Sequence, residues 1–145
     1  MSLVTKPPTF SIFKKLAYKR SAEAEVLFKN KKYSGAYYLA GYCIELALKA
    51  KYSKQTKRNS FPPVKDIYNI LYSHNLNKLL EVSGLSTALA NESKNNTVLG
   101  THWGVIKDWS EDSRYQEIPK NEAESLLRAI NDKSNGLLNW ISKHW

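Results

Sequence analysis

The sequence has a single cysteine and few residues that break helices, with six glycines and five prolines among its 145 positions. Cys43 has no second cysteine to pair with, so an internal disulfide of the kind that staples small secreted domains is excluded. No apolar stretch of signal-peptide length lies near residue 1, and no run approaches the ~20 apolar residues that span a bilayer. These absences predict a cytoplasmic protein with no membrane partner.

Motifs for metal-dependent chemistry are also missing. The three histidines are scattered, and neither His-x-x-x-His nor Cys-x-x-Cys spacing supplies a zinc site. The six glycines are isolated, so a glycine-rich phosphate loop is not expected. The sequence therefore predicts no metal and no cofactor.

Positive charge is abundant, because 22 Lys and Arg residues stand against 13 Asp and Glu residues and leave a formal net charge of +9. Such an excess favours polyanions such as RNA or DNA, although many basic domains bind neither. The candidate nucleic-acid contacts cluster near the two ends of the second predicted helix: Lys29, Lys31, Lys32, Lys51, Lys54, Lys57 and Arg58. The alternative for this set is a solvated basic surface.

Apolar side chains recur every three or four residues in four segments, at about 11–30, 33–54, 98–109 and 121–141. The second segment is apolar nearly all round from residue 36 to 48, which is typical of a central helix. No segment alternates with the period of a strand. We therefore predict an all-α, four- to five-helix up-down bundle. Residues 11–145 form its single domain, and residues 1–10 a tail that is disordered or left by cloning.

Weaker local signals complete the prediction. Prolines at 62 and 63 place residues 55–66 in a loop, and a turn of helix follows at 66–72. Ser73 is a candidate cap for a short helix that ends at Gly84. Asn121 and Glu124 have the spacing of a capping box. Gly41 predicts the close approach of a neighbouring backbone. Residues 86–97 receive no assignment.

Several parts of the chain resemble the HEPN domain family. The stretch Tyr33-Ser-Gly-Ala-Tyr-Tyr-Leu-Ala-Gly-Tyr-Cys-Ile-Glu-Leu-Ala-Leu-Lys-Ala50 is similar to the signature of that family's second helix. His74-Asn-Leu-Asn-Lys-Leu-Leu80 resembles its His-Asp-Leu segment, and Trp109 with Arg114-Tyr115 resembles its tryptophan and Arg-Tyr pair. The resemblance covers roughly residues 11–143. It implies a helical bundle, usually a homodimer, from prokaryotic toxin-antitoxin and defence systems.

The resemblance also bears on activity. Many members of the family are metal-independent ribonucleases, in which an Arg is followed after four to six residues by a His that faces the symmetry mate. Other members are noncatalytic and accompany a minimal nucleotidyltransferase. Arg114 stands at the matching place, but the next seven residues are Tyr-Gln-Glu-Ile-Pro-Lys-Asn. Because the histidine is missing, the resemblance favours a protein that is not an enzyme.

Three residues are candidates for catalysis if any occurs. Arg114 could serve only as the cation beside a phosphate, since its guanidinium does not exchange protons at neutral pH. A recruited histidine, His74, would have to move protons, and its alternative is a histidine at a helix start or on the surface. Glu45 is either a surface partner of Lys49 or a buried carboxylate neutralised by Arg20 or Arg114.

Two further patterns have ordinary structural explanations. The tyrosines of the second helix could stack bases, but their helical spacing is more typical of packing; they are Tyr33, Tyr37, Tyr38 and Tyr42. His102 shares a face with tryptophans and predicts a core or interface histidine. His144 is predicted to lie on the surface.

Three functions remain open from the sequence. The first is a homodimeric, HEPN-like binding module for RNA or a nucleotide, with a minimal nucleotidyltransferase as candidate partner. The second is a divergent metal-independent ribonuclease that uses Arg114 with a recruited histidine. The third is a structural protein-interaction domain. Similarity of fold alone does not choose among them.

Overall fold

A computed structural model describes residues 8–56 and 73–145, and these residues are mostly helical. The elements, in order, are α1 (Phe10–Lys29), α2 (Tyr33–Thr56), α3 (Leu76–Val82), α4 (Ser86–Asn95), α5 (Thr97–Ile106), a 3-10 helix (Glu111–Tyr115), α6 (Lys120–Asn131) and α7 (Leu137–Ser142). Neither described range contains a strand. The predicted all-α fold is confirmed. The start of the predicted tail, most of the loop at 55–66 and the turn at 66–72 lie outside the described residues.

Helix α2 forms the centre of the bundle. It contacts α1 most extensively and also packs against α3, the 3-10 helix, α6 and α7. Every residue from Cys43 to Leu48 is buried. Because burying one large aliphatic side chain contributes about 1.5–3 kcal/mol, this segment is a main source of the bundle's stability. The prediction of a central second helix is confirmed.

A short turn joins α1 to α2 and reverses the chain direction. Lys31 has a φ of 62°, in the left-handed region that few residues other than glycine adopt. The side-chain amide of Asn30 donates to the carbonyl of Val26 at 2.8 Å and closes the last turn of α1. The turn leaves Lys29, Lys31 and Lys32 exposed.

The structure corrects the predicted start of α3. Its N-cap is Asn75, whose Oδ1 accepts a hydrogen bond from the Lys78 backbone N–H at 3.0 Å, so the prediction of Ser73 is wrong. The end agrees better, because Gly84 has a φ of 78°, the left-handed conformation that glycine adopts freely after a helix. Helix α4 then occupies most of the segment that received no assignment.

The last predicted helix also differs from the structure. It divides into α6 and α7, which are separated by residues 132–136. Asn121 lies inside the first turn of α6 and is not its cap, because the helix begins at Lys120 directly after Pro119. Glu124 forms an ion pair with Arg128, one turn along the same helix. The prediction of a capping box at Asn121 and Glu124 is therefore wrong.

Gly41 lies against an indole ring. A Cβ atom built at this position would lie 2.2 Å from Nε1 and Cε2 of Trp109. The predicted approach of a backbone is therefore wrong, because the group that lies against Gly41 is the side chain of Trp109. Trp109 is only 3% exposed, so the contact fixes the segment that leads into the 3-10 helix. None of the helices in the described ranges is long and apolar enough to cross a membrane.

Candidate functional site

The candidate site begins with a carboxylate inside the core. Glu45 has no exposed surface, although it carries a charge. The ammonium group of Lys49 donates to its Oε2 at 3.1 Å, and Nδ1 of His74 lies 2.6 Å from its Oε1. An uncompensated charge in a protein core is strongly destabilising. The two cationic partners therefore explain how α2 accommodates this carboxylate, and why His74 is held against α2.

This pairing corrects the predicted partner of Glu45. Arg20 forms an exposed ion pair with Glu23 at 2.7 Å, and Arg114 lies on the 3-10 helix without an ion pair to Glu45. The alternative partner, Lys49, is correct; its side chain is 16% exposed, and the carboxylate that it contacts is buried. Sequence reasoning missed that His74 supplies the second partner.

His74 connects the core to the surface. Its Nε2 lies 3.0 Å from Oε2 of Glu111, and its side chain is 37% exposed. Each ring nitrogen of His74 therefore faces a carboxylate oxygen, Nδ1 on the core side and Nε2 on the cleft side. A continuous series of polar contacts thus runs from α2 to the 3-10 helix, through Lys49, Glu45, His74 and Glu111.

Two of these residues, His74 and Glu111, line a cleft of about 330 Å³. Besides His74 and Glu111, the cleft is lined by Ser73, Asn75, Leu76, Lys107, Trp109 and Ser110. Its volume is similar to that of small-molecule sites, and most of its lining side chains are polar. Lys107 is exposed at its edge and adds a positive charge.

Arg114 points away from the core on the same 3-10 helix as Glu111. Its guanidinium lies 5.0 Å from the centre of the Tyr115 ring. A hydrogen bond to Tyr115 raises the pKa of Arg114, and a hydrogen bond to Tyr38 and the charge of Glu111 act in the same direction. Arg114 is therefore an exposed cation whose main partner is the Tyr115 ring.

The three predicted catalytic candidates are only partly brought together. His74 and Glu45 form a direct contact, whereas Arg114 is connected to them through the charge of Glu111. Sequence reasoning missed Glu111 altogether. Its proximity to Arg114 along the chain was the one signal available, and an exposed glutamate at that position has many ordinary explanations.

The predicted nucleic-acid contacts divide between two ends of the bundle. Lys29, Lys31 and Lys32 lie at the start of α2, while Lys51 donates to the Ser83 carbonyl at 3.2 Å near its end. At 1.5 Å per residue, Lys32 and Lys51 are roughly 28 Å apart along the helix axis. Lys54 lies 5.3 Å from the ring of Phe10, beside the same end. Lys57 and Arg58 lie outside the described residues.

The other singled-out residues have structural roles. Nε2 of His102 lies 3.0 Å from Oδ2 of Asp132, and its side chain is 12% exposed, so the prediction of a core histidine is correct. The rings of Tyr38 and Tyr42 stack on each other at 6.3 Å, and Tyr38 also packs against Trp109. In residues 8–56 and 73–145, no group of three His, Cys, Asp or Glu side chains could hold a metal ion.

Comparison with known proteins identifies the family. The family model of the HEPN domain matches residues 11–144, which is nearly the whole chain. No curated protein and no solved structure matches this chain. The matched range includes the central helix α2, the histidine segment before α3 and the 3-10 helix that carries Arg114. The resemblance seen in the sequence is confirmed, and the chain belongs to the HEPN domain family.

Proposed function

We propose that this chain is a binding module for RNA or a nucleotide and acts as a homodimer in the cytoplasm. In this proposal it accompanies a minimal nucleotidyltransferase in a toxin-antitoxin or defence system. The observation that carries the proposal is membership of the HEPN family by a chain whose Arg114 is followed by seven residues without a histidine. Such a chain keeps a cation for phosphate contact and lacks the proton-transfer partner.

The distribution of charge at one end of the bundle supports binding. The hydroxyl oxygen of Ser34 accepts a hydrogen bond from the Ile118 N–H at 2.9 Å, which ties the segment after the 3-10 helix to the start of α2. Arg114 lies four residues before Ile118, so the chain between them leads from Arg114 to the end of the bundle that carries the exposed Lys31 and Lys32. A long polyanion such as RNA can contact cations in both places.

One observation favours the ribonuclease alternative. A histidine whose Nδ1 is held by a buried carboxylate is an arrangement used in general acid–base catalysis, and His74 on Glu45 has this form. Cleavage by attack of the 2′-hydroxyl also needs a second group that protonates the leaving oxygen. Nε2 of His74 is meanwhile paired with Glu111. The site is therefore incomplete for catalysis in one chain, which places binding first.

The test measures the affinity for a labelled single-stranded RNA and for AMP at several salt concentrations. Removing one phosphate contact with Arg114→Ala should weaken RNA binding and reduce the slope of log K against log salt by about 0.7. Arg128→Ala is the matched control, because Arg128 is an exposed arginine on α6 whose loss changes the net charge equally. Equal effects of the two variants would show that Arg114 contributes only through the net charge of the protein and does not contact a phosphate.

Two further measurements separate the alternatives. Degradation of the RNA in the presence of a chelator, abolished by His74→Ala, would establish the ribonuclease. Failure to bind either RNA or AMP at low salt would contradict the binding module and leave the protein-interaction domain as the remaining alternative. Sedimentation analysis tests the homodimer, and a monomer at micromolar concentration would contradict that part of the proposal.

A further inference from the structure

The orientation of the His74 ring is fixed from the core side. Glu45 is enclosed in the bundle, and its two oxygens are taken by Lys49 and by Nδ1 of His74. Because the core fixes the Glu45 carboxylate and this carboxylate contacts Nδ1 of His74, the Nε2 atom of the ring points outward. Nε2 reaches the cleft, where Oε2 of Glu111 lies 3.0 Å away.

We propose that Nε2 of His74 is the centre of a phosphate-binding site, and that the Glu111 carboxylate occupies this site as an internal competitor. The inference rests on the proposed function, since it names the group of the RNA or nucleotide that the cleft receives. Carboxylate and phosphate oxygens accept hydrogen bonds from the same cationic donors, so one can replace the other. A phosphate in the place of the carboxylate keeps the contact with His74.

The charges around Glu111 favour this exchange. Glu111 is the carboxylate in the lining of the cleft, and Lys107 is the ammonium group there, beside the His74 ring. When Glu111 turns away, Lys107 and the outward nitrogen of His74 remain at the cleft. A phosphate oxygen can then accept a hydrogen bond where the carboxylate oxygen did, and it supplies the negative charge that Glu111 takes away.

The two carboxylates on His74 differ in their freedom to move. The Glu45 side chain is 1% exposed, whereas the Glu111 side chain is 36% exposed and lies at the first position of a short 3-10 helix. Ion pairs with that much exposure contribute little to stability, because water solvates both partners when they separate. Glu111 can therefore turn into solvent without loss of fold, and Glu45 cannot.

The experiment titrates the folded protein with inorganic phosphate and follows the ring nitrogens of the three histidines by ¹⁵N NMR. Glu111→Gln removes the competing charge, and Glu117→Gln is the matched control, because Glu117 is an exposed glutamate six residues away. We expect Glu111→Gln to lower the dissociation constant about twofold to fivefold relative to Glu117→Gln, as expected when one partly exposed ion pair no longer competes. The Nε2 signal of His74 should move with phosphate.

A second comparison distinguishes an effect on the site from an effect on folding. Glu111→Ala should behave like Glu111→Gln, while His74→Gln in the Glu111→Gln background should abolish the gain. Equal affinities of Glu111→Gln and Glu117→Gln would overturn the proposal, and so would phosphate shifts confined to His102 or His144. If RNA binds but these outcomes are seen, the proposed site at His74 fails and the RNA proposal stands. If phosphate binds as expected and RNA does not, the site stands and the RNA proposal fails.

Discussion

Replacing Gly41 with alanine should destabilise the protein, although alanine is favoured over glycine by about 1 kcal/mol inside a helix. The added Cβ meets three atoms of the Trp109 indole at 2.2–2.3 Å. Carbon atoms in contact normally lie about 3.5–4.0 Å apart, so a small adjustment of the ring does not relieve the clash. Trp109 is almost fully buried, and moving it exposes part of its ring to water.

The size of the effect follows from two opposing terms. Overpacking a protein core costs about 1–3 kcal/mol, and occasionally more. The gain in helix propensity offsets about 1 kcal/mol of this loss. Because the clash at Gly41 is severe and involves a large ring, we expect a net decrease of about 2 kcal/mol in the free energy of unfolding. For a chain of this length, that decrease lowers the Tm by roughly 6–8 °C.

The assay is urea denaturation followed by circular dichroism, with Gly104→Ala as the control. Gly104 also lies within a helix, and a Cβ there meets nothing within 4 Å. This variant should keep the propensity gain and become more stable by up to about 1 kcal/mol. If Gly41→Ala were as stable as Gly104→Ala, the packing of Trp109 against α2 would be refuted.

Three further predictions concern buried and charged groups. Glu45→Gln should lower the free energy of unfolding by about 1–3 kcal/mol in urea denaturation, because Lys49, whose side chain is 16% exposed, then loses its counter-charge; a loss below about 0.5 kcal/mol would contradict this. Burial raises the pKa of the Cys43 thiol to about 12, so at alkaline pH the unfolded chain gives up this proton before the native protein does. Stability should therefore fall by about 1.4 kcal/mol per pH unit above about pH 9, and Cys43→Ala should remove that contribution from the pH profile of unfolding. A hydrogen bond from His102 lowers the pKa of Asp132, followed by bonds from backbone N–H groups, so its ionised form stabilises the fold above about pH 4 and this contribution is lost as the pH falls through the lowered value. The Tm difference between the native protein and Asp132→Asn should be largest near pH 7 and disappear towards pH 2, and a constant difference would contradict it.

The sequence predicted those helices that carry a broad apolar stripe. Helix α2 was identified because its apolar residues leave almost no polar face, and such a helix has to be surrounded by others. Helix α4 was missed because polar residues dominate it and Leu89 is its one buried residue. The predicted cap of α6 was wrong because the residue at that position is Pro119, which lies two residues before Asn121, fixes its own φ and makes no side-chain cap.

The site was less predictable because its contacts join distant parts of the chain. Glu45 and His74 are 29 residues apart, and only the packing of α2 beside α3 brings them together. The sequence pointed to arginine as the partner of a buried carboxylate, since guanidinium groups fill that role well. Lys49 fills it here because it lies one turn from Glu45 on the same helix. Residue type alone does not reveal this choice.

The burial of Glu45 is not explained by stability. A buried ion pair usually contributes no more than apolar residues of similar size, because the charges lose their hydration. A leucine at this position would fit the pattern of α2, in which the neighbouring core residues are apolar. The carboxylate instead fixes the orientation of the His74 ring, with Nδ1 towards the core and Nε2 in the cleft. The central helix thus provides both a large part of the hydrophobic core and a rigid support for the proposed phosphate contact.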